Sequence, residues 1–196
     1  MTNPPSDPLE VLRVFAAHEV RFVLIGGLAG RVWGSPTVTA DLDACYDRSP
    51  DNLQCLADAL VDLDARLRVG GPNEEDDDLP FLLDAETLRR GSNFTFRTRA
   101  GAVDVLGLPA GVSGYDELAA NAVEEDLGGV PVKVSALDDL ITMKLRSGTS
   151  SVLRAQDLAD VIGLIRHRRL GKTFAGRVGK DVRKAFRRLV DAVERG

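Results

Sequence analysis

Residues 25–47 read IGGLAGRVWGSPTVTADLDACYD, and the fold turns on how this stretch is divided. The apolar run RFVLI (21–25) leading into it predicts a short buried strand, stopped by Gly26 and Gly27. LAGRVWG (28–34) fits a brief helix ending at Gly34, and Pro36 forbids its continuation. TVTADLDACY (37–46) is rich in Val and Thr and predicts a second strand, with Asp41 and Asp43 on one face. Val38, Leu42, Ala44 and Tyr46 give this strand a central character. Two carboxylates buried side by side repel each other and are costly to desolvate, so the stretch calls for a positive partner between them.

Outward from this stretch, Ser6 is expected to cap a first helix running to about His18, with Leu9, Leu12, Val14, Phe15 and Ala16 on its apolar face. Pro50 begins a helix through about Asp64. GGPNEEDDDLP (70–80), with five consecutive acids, reads as a solvated loop. NFTFRTRAGAVDVLGL (93–108) predicts a hairpin around Ala100 and Gly101, whose second strand sets Asp104 amid Val103, Val105 and Leu106. VPVKVSAL (130–137) reads as a further strand, and 136–148 and 150–170 as two periodic helices. A final helix is expected to carry basic residues at 180, 183, 184, 187 and 188 opposite a stripe of Val182, Phe186, Leu189 and Val193. The expected organisation is a core over 1–134 and a helical C-terminal region with a basic tail over 135–196.

The bulk properties narrow the classes. With 196 residues, 44% hydrophobic and 28% charged, the chain has an ordinary globular composition. No apolar run approaches the roughly 20 residues that span a bilayer. The opening MTNPPSDPLE lacks the basic and apolar regions of a signal peptide, so a cytoplasmic protein without membrane partners is expected. Cys45 and Cys55 form neither a metal-type pair nor a disulfide framework. The two histidines, His18 and His167, are expected on helix surfaces and exclude a His-rich metal site or a His-based triad. Trp33 is expected in the core. The net charge of −5 is uneven: residues 165–196 hold 11 Lys and Arg against 3 Asp and Glu, a local +8, which leaves −13 elsewhere. Such a tail can meet a polyanion, although a solvated amphipathic helix has the same composition.

The chemistry lies in three carboxylates, Asp41 and Asp43 from one predicted strand and Asp104 from another. Oxygen-only ligation of this kind suits Mg²⁺ or Mn²⁺, which retain waters and take substrate phosphates as their other ligands. A pair of such ions, roughly 4 Å apart, would be the positive partner the stretch calls for. A strand ending in Gly26-Gly27 and entering a helix also lets backbone N–H groups approach a phosphate closely.

IGGLAGRVWGSPTVTADLDACY (25–46) resembles the signature of the DNA polymerase beta-like nucleotidyltransferases: a strand, Gly-Gly or Gly-Ser, then alternating apolar and acidic positions. DDLITMKLRSGTSSVLRAQDLADVIGL (138–164) is similar to a narrower branch, the AbiEii and MenT-type toxins of bacterial toxin–antitoxin systems, with a helical Lys and an R-x-x-D-L-x-D segment. The resemblance covers about residues 10–166, and departs at Leu28, where many relatives carry Ser. It implies an α+β fold, a small mixed sheet flanked by helices with a helical C-terminal region. By position it makes Asp41 and Asp43 ligands of two metals and Asp104 the completion of the second site. Gly26 and Gly27 hold the triphosphate, Thr39 lines the site, and Arg31 is a phosphate ligand. Lys144 neutralises phosphate charge, and Asp157 orients Lys144 or contacts the nucleotide. Asp157 and Asp160, with Arg154, also suit plain i, i+3 pairs on a helix face.

The expected function is therefore metal-dependent transfer of an NMP from NTP to RNA, at the tRNA 3′ acceptor end, by a toxin with a cognate antitoxin. Arg177, Lys180, Arg183, Lys184, Arg187 and Arg188 are the expected RNA-tracking residues. A protein hydroxyl or an aminoglycoside is the alternative acceptor, because one site of this kind serves many acceptors. A nucleotide-binding module with a degenerate site is the third reading.

Overall fold

A computed structural model describes residues 6–68, 81–109 and 111–195 of the chain, so the acidic run at 74–78 lies outside the described residues. In chain order the elements are α1 (Pro8–Ala17), β1 (Phe22–Ile25), α2 (Gly26–Val32), β2 (Leu42–Tyr46), α3 (Pro50–Asp62), β3 (Arg66–Leu67), α4 (Ala85–Arg90) and β4 (Asn93–Thr98). There follow β5 (Gly101–Leu106), α5 (Tyr115–Asn121), β6 (Val123–Asp126), β7 (Pro131–Val134), α6 (Leu137–Ser150), α7 (Ala155–Arg168) and α8 (Arg183–Arg195).

The strands form one seven-stranded mixed sheet in the order β3-β4-β5-β2-β1-β7-β6. β1 runs antiparallel to β2 and parallel to β7, while β2 and β5 are parallel. This α+β arrangement, a mixed sheet followed by three helices, is the expected fold class. β2 is central, and Leu42, Ala44, Cys45 and Tyr46 are fully buried, as a strand covered on both faces requires. One apolar cluster takes in the sheet, Leu12 and Phe15 of α1, Leu53, Leu56 and Leu60 of α3, and Leu140, Ile141, Leu145, Leu164 and Phe186 of the C-terminal helices. Burial pushes the Cys45 thiol up to about 12, and both cysteines are free. Among the described residues, no helix is long and apolar enough to cross a membrane.

Several local expectations are corrected. Asp7, not Ser6, caps α1, accepting from the Glu10 amide at 3.1 Å, with Pro8 at the helix start. The Ser6 hydroxyl instead donates to the Ala40 carbonyl. β2 begins only at Leu42, so residues 37–41 are not strand, and Val38 is 83% exposed. Asp41 therefore precedes the strand rather than sharing a pleat with Asp43. In the tail, Lys180 and Val182 precede α8, and the helix buries Phe186 and Val190 while Leu189 and Val193 are half-buried. His167 is exposed as expected, whereas His18 is half-buried at the end of α1, 3.2 Å from Asp62.

Candidate active site

β1 and β2 are antiparallel with Ile25 opposite Asp43, so the chain leaves β1 at the point where Asp43 stands. The double glycine exists because of that proximity. Gly26 has φ +65°, and a Cβ there would lie 2.0 Å from Asp43 Oδ2. A Cβ on Gly27 would lie 2.8 Å from the Thr39 side chain. Any side chain at either position would displace the carboxylate or the threonine. The Gly27 amide donates to Asp43 Oδ2 at 3.4 Å.

Asp43 and Asp104 are register partners on the parallel strands β2 and β5. Their side chains leave the sheet on the same face, which sets the two carboxylates side by side. Burial, and then the Asp104 charge, push the Asp43 carboxyl up to about 7, against the Gly27 amide and Lys144, which pull it down. Asp104 Oδ1 is buried and has no hydrogen-bond partner among the described residues. An orphaned carboxylate oxygen beside a second, strained carboxylate is what a hard cation satisfies, so the pair fits Mg²⁺ or Mn²⁺. Asp41 is exposed and adds a further like charge on Asp43. Among the described residues, no group of three His, Cys, Asp or Glu side chains forms a ready metal cluster.

Opposite the pair stands Lys144 of α6, 7% exposed. Its Nζ donates to Asp160 Oδ2 at 2.6 Å and to Asp157 Oδ1 at 3.3 Å, both carboxylates coming from α7. Asp160 Oδ1 accepts from the Thr37 hydroxyl at 2.7 Å and from Gln156 at 3.0 Å, and Asp157 Oδ2 accepts from the Ser147 hydroxyl at 2.6 Å. Burial alone would raise the Asp160 carboxyl, but the bonds from Lys144, Thr37 and Gln156 hold it below the usual range. The ammonium meets two carboxylates, and each carboxylate oxygen that does not meet Lys144 has a donor of its own.

Ile25, Gly26, Asp43, Lys144, Arg154 and Asp157 line one open cleft of about 130 Å³, with Leu106, Pro109, Leu140, Met143 and Ser147. The structure thus brings together Gly26, Gly27, Asp43, Asp104, Lys144 and Asp157, with Thr39 against Gly27. Arg31 is exposed at the last turn of α2 and does not line the cleft. In the tail, Arg177 donates to Asp138 at 3.3 Å and stacks 5.1 Å over Phe174, and Arg183 donates to the carbonyls of Gly176 and Val178. These two hold the tail in place. Lys180, Lys184, Arg187 and Arg188 are exposed and meet no carboxylate among the described residues.

Asp160, Thr37, Ser147 and Gln156 join the site without having been singled out for it. The Asp157/Asp160 spacing was visible, but it was as consistent with pairs to Arg154 on the same helix. The structure pairs both acids across to α6 instead. Ser147 lies one turn beyond Lys144, an available helical signal.

No family model and no curated protein matches the chain. Among solved structures it is similar to the antibiotic-resistance factor ANT(2'')-Ia, an aminoglycoside nucleotidyltransferase, with TM-score 0.55 and 14% identity over 96% of this chain and 95% of that one. A protein of H. pylori assigned as a nucleotidyltransferase matches with TM-score 0.46 and 16% identity, over 86% of this chain and 72% of that one. The ANT(2'')-Ia likeness shows the fold alone: this chain shares the architecture of that protein.

Proposed function

We propose that this chain is a metal-dependent nucleotidyltransferase that moves an NMP from NTP to a hydroxyl of RNA, at the tRNA 3′ acceptor end, as the toxin of a toxin–antitoxin pair. The observation that carries the enzymatic reading is Asp43, lining one cleft with Lys144, with Asp104 and its orphaned oxygen beside it in register on the neighbouring strand.

Asp43 and Asp104 would hold Mg²⁺ or Mn²⁺, with Asp41 completing the set. A bound divalent ion would supply Lewis-acid neutralisation of phosphate charge. The chain's own groups do the rest. The Gly26–Gly27 backbone lets the triphosphate approach without side-chain obstruction. Lys144 presents a point charge to the phosphate oxygens where negative charge accumulates, and Asp157 and Asp160 fix its direction in advance. Asp104 would accept the proton of the attacking hydroxyl. The acceptor attacks the α-phosphorus, the bond to the bridging oxygen breaks, and pyrophosphate leaves. Positioning and charge neutralisation suffice for this chemistry, and neither histidine is needed.

Support for an RNA acceptor is the group of exposed cations, Lys180, Lys184, Arg187 and Arg188, without carboxylate partners among the described residues. The test is incubation of the purified chain with Mg²⁺, total bacterial RNA and each α-labelled NTP, beside Asp41→Ala and Asp43→Asn. Label in a tRNA-sized band, lost in both variants, is the expected result. Label on protein, or on an added aminoglycoside, would keep the site and change the acceptor. No label in any of these assays would overturn the enzymatic reading.

A further inference from the structure

The segment between α2 and β2, residues 33–41, carries Thr39 and Asp41 at its end and is fastened along α7. The Trp33 indole N–H donates to the Ser135 carbonyl at 2.9 Å, and Arg168 of α7 lies 5.5 Å over its ring. Pro36 packs on Gly163 of α7, where a Cβ would come within 3.0 Å of its ring. Ser35 is buried and its hydroxyl accepts from the Thr37 amide at 3.3 Å, which turns Thr37 inward. The Thr37 hydroxyl then donates to Asp160 Oδ1 at 2.7 Å, and the other oxygen of that carboxylate takes Lys144 at 2.6 Å. Four residues beyond Thr37 comes Asp41.

We propose that Thr37 is a positioning residue: through Asp160 its hydroxyl couples the segment that delivers Asp41 to the orientation of Lys144. The inference rests on the nucleotidyltransferase reading and adds to it a physical link between the two sides of the cleft. A carboxylate with both oxygens engaged cannot rotate to follow one partner without breaking the bond to the other. Movement of the 33–41 segment is therefore felt at Nζ of Lys144, and displacement of Lys144 is felt at the segment. Thr37 itself does not touch substrate.

The test uses the full chain with Thr37→Val, which removes the hydroxyl while keeping the β-branch, and Thr37→Ser, which restores the donor. Loss of one bond to a charged acceptor predicts a fall in kcat of about tenfold for Thr37→Val, with KM for NTP within about twofold and Thr37→Ser close to wild type. A second readout needs no turnover. Trace acetylation by acetic anhydride, read by mass spectrometry, should label Lys144 several-fold faster in Thr37→Val than in wild type, with Lys180 and Lys184 as internal references. Wild-type kcat and wild-type Lys144 labelling in Thr37→Val would overturn the proposal. An equal loss in Thr37→Ser would overturn it too, since shape rather than the hydroxyl would then be responsible. A wild-type chain that transfers nothing would instead overturn the enzymatic reading, and the labelling ratio would still decide whether Thr37 holds Lys144.

Discussion

Asp43 and Asp104 face each other across a parallel strand pair, and the carboxyl of Asp43 rises to about 7 as a result of burial and of its neighbour's charge. A carboxyl raised in the folded state binds its proton more tightly there than when unfolded. Stability from this group is complete below the ordinary aspartate range and is lost as pH rises toward about 7. Thermal unfolding in EDTA should therefore show Tm falling through that window. Asp43→Asn should flatten the fall, and added Mg²⁺ should reverse it in wild type only. A wild-type profile parallel to that of Asp43→Asn would contradict this.

Lys144 and Asp160 form a buried pair, with side chains 9% and 7% exposed. Removing one member leaves the other charged and uncompensated. Lys144→Ala should cost about 3–5 kcal/mol in urea unfolding, as broken buried pairs do, and should abolish transfer.

Gly26 combines a left-handed φ of +65° with a Cβ position 2.0 Å from Asp43 Oδ2. Gly26→Ala should cost roughly 1–2 kcal/mol for the backbone alone and should displace Asp43 as well. Its transfer activity should fall far more than its Tm, measured on the same preparation.

Lys184, Arg187 and Arg188 point to solvent on α8. Their triple alanine variant should leave stability within about 0.5 kcal/mol per site. The slope of log affinity for single-stranded RNA against log salt should shrink by roughly 2, near 0.7 for each lost charge. An unchanged slope would remove α8 from the RNA path.

Phe186 is the apolar anchor of the same helix, fully buried and 5.7 Å from Phe174. Phe186→Ala should cost about 3–5 kcal/mol, in contrast with its cationic neighbours.

The strand positions of Asp43 and Asp104 were legible because each sits in an alternating run whose other members, Leu42 and Ala44 or Val103 and Val105, are fully buried. The place of Asp41 was not. Val and Thr at 37–39 suggest strand locally, but Thr37 bonds to Asp160, 123 residues away, and Gly27 packs on Thr39, so tertiary contacts override propensity. β6, with Glu124, Glu125 and Asp126, gives no strand signal of its own and exists through its pairing with β7. The cap at Asp7 rather than Ser6 is a choice between two adjacent cap-forming residues, which Pro8 at the first helical position resolves. The Lys144 network was half visible, since Asp157 and Asp160 share a helix face, but which partner they meet depends on how α6 packs on α7.

Trp33 is the chain's sole tryptophan, and it stands at the root of the segment that ends in Asp41. Its indole is held between the Ser135 carbonyl and the Arg168 guanidinium. The untagged chain thus carries a single tryptophan, which red-edge excitation separates from Tyr46 and Tyr115, and those two contacts form its surroundings. Any ligand that shifts the segment retunes the emission wavelength, so cleft occupancy can be followed optically, in solution and in real time, without a label.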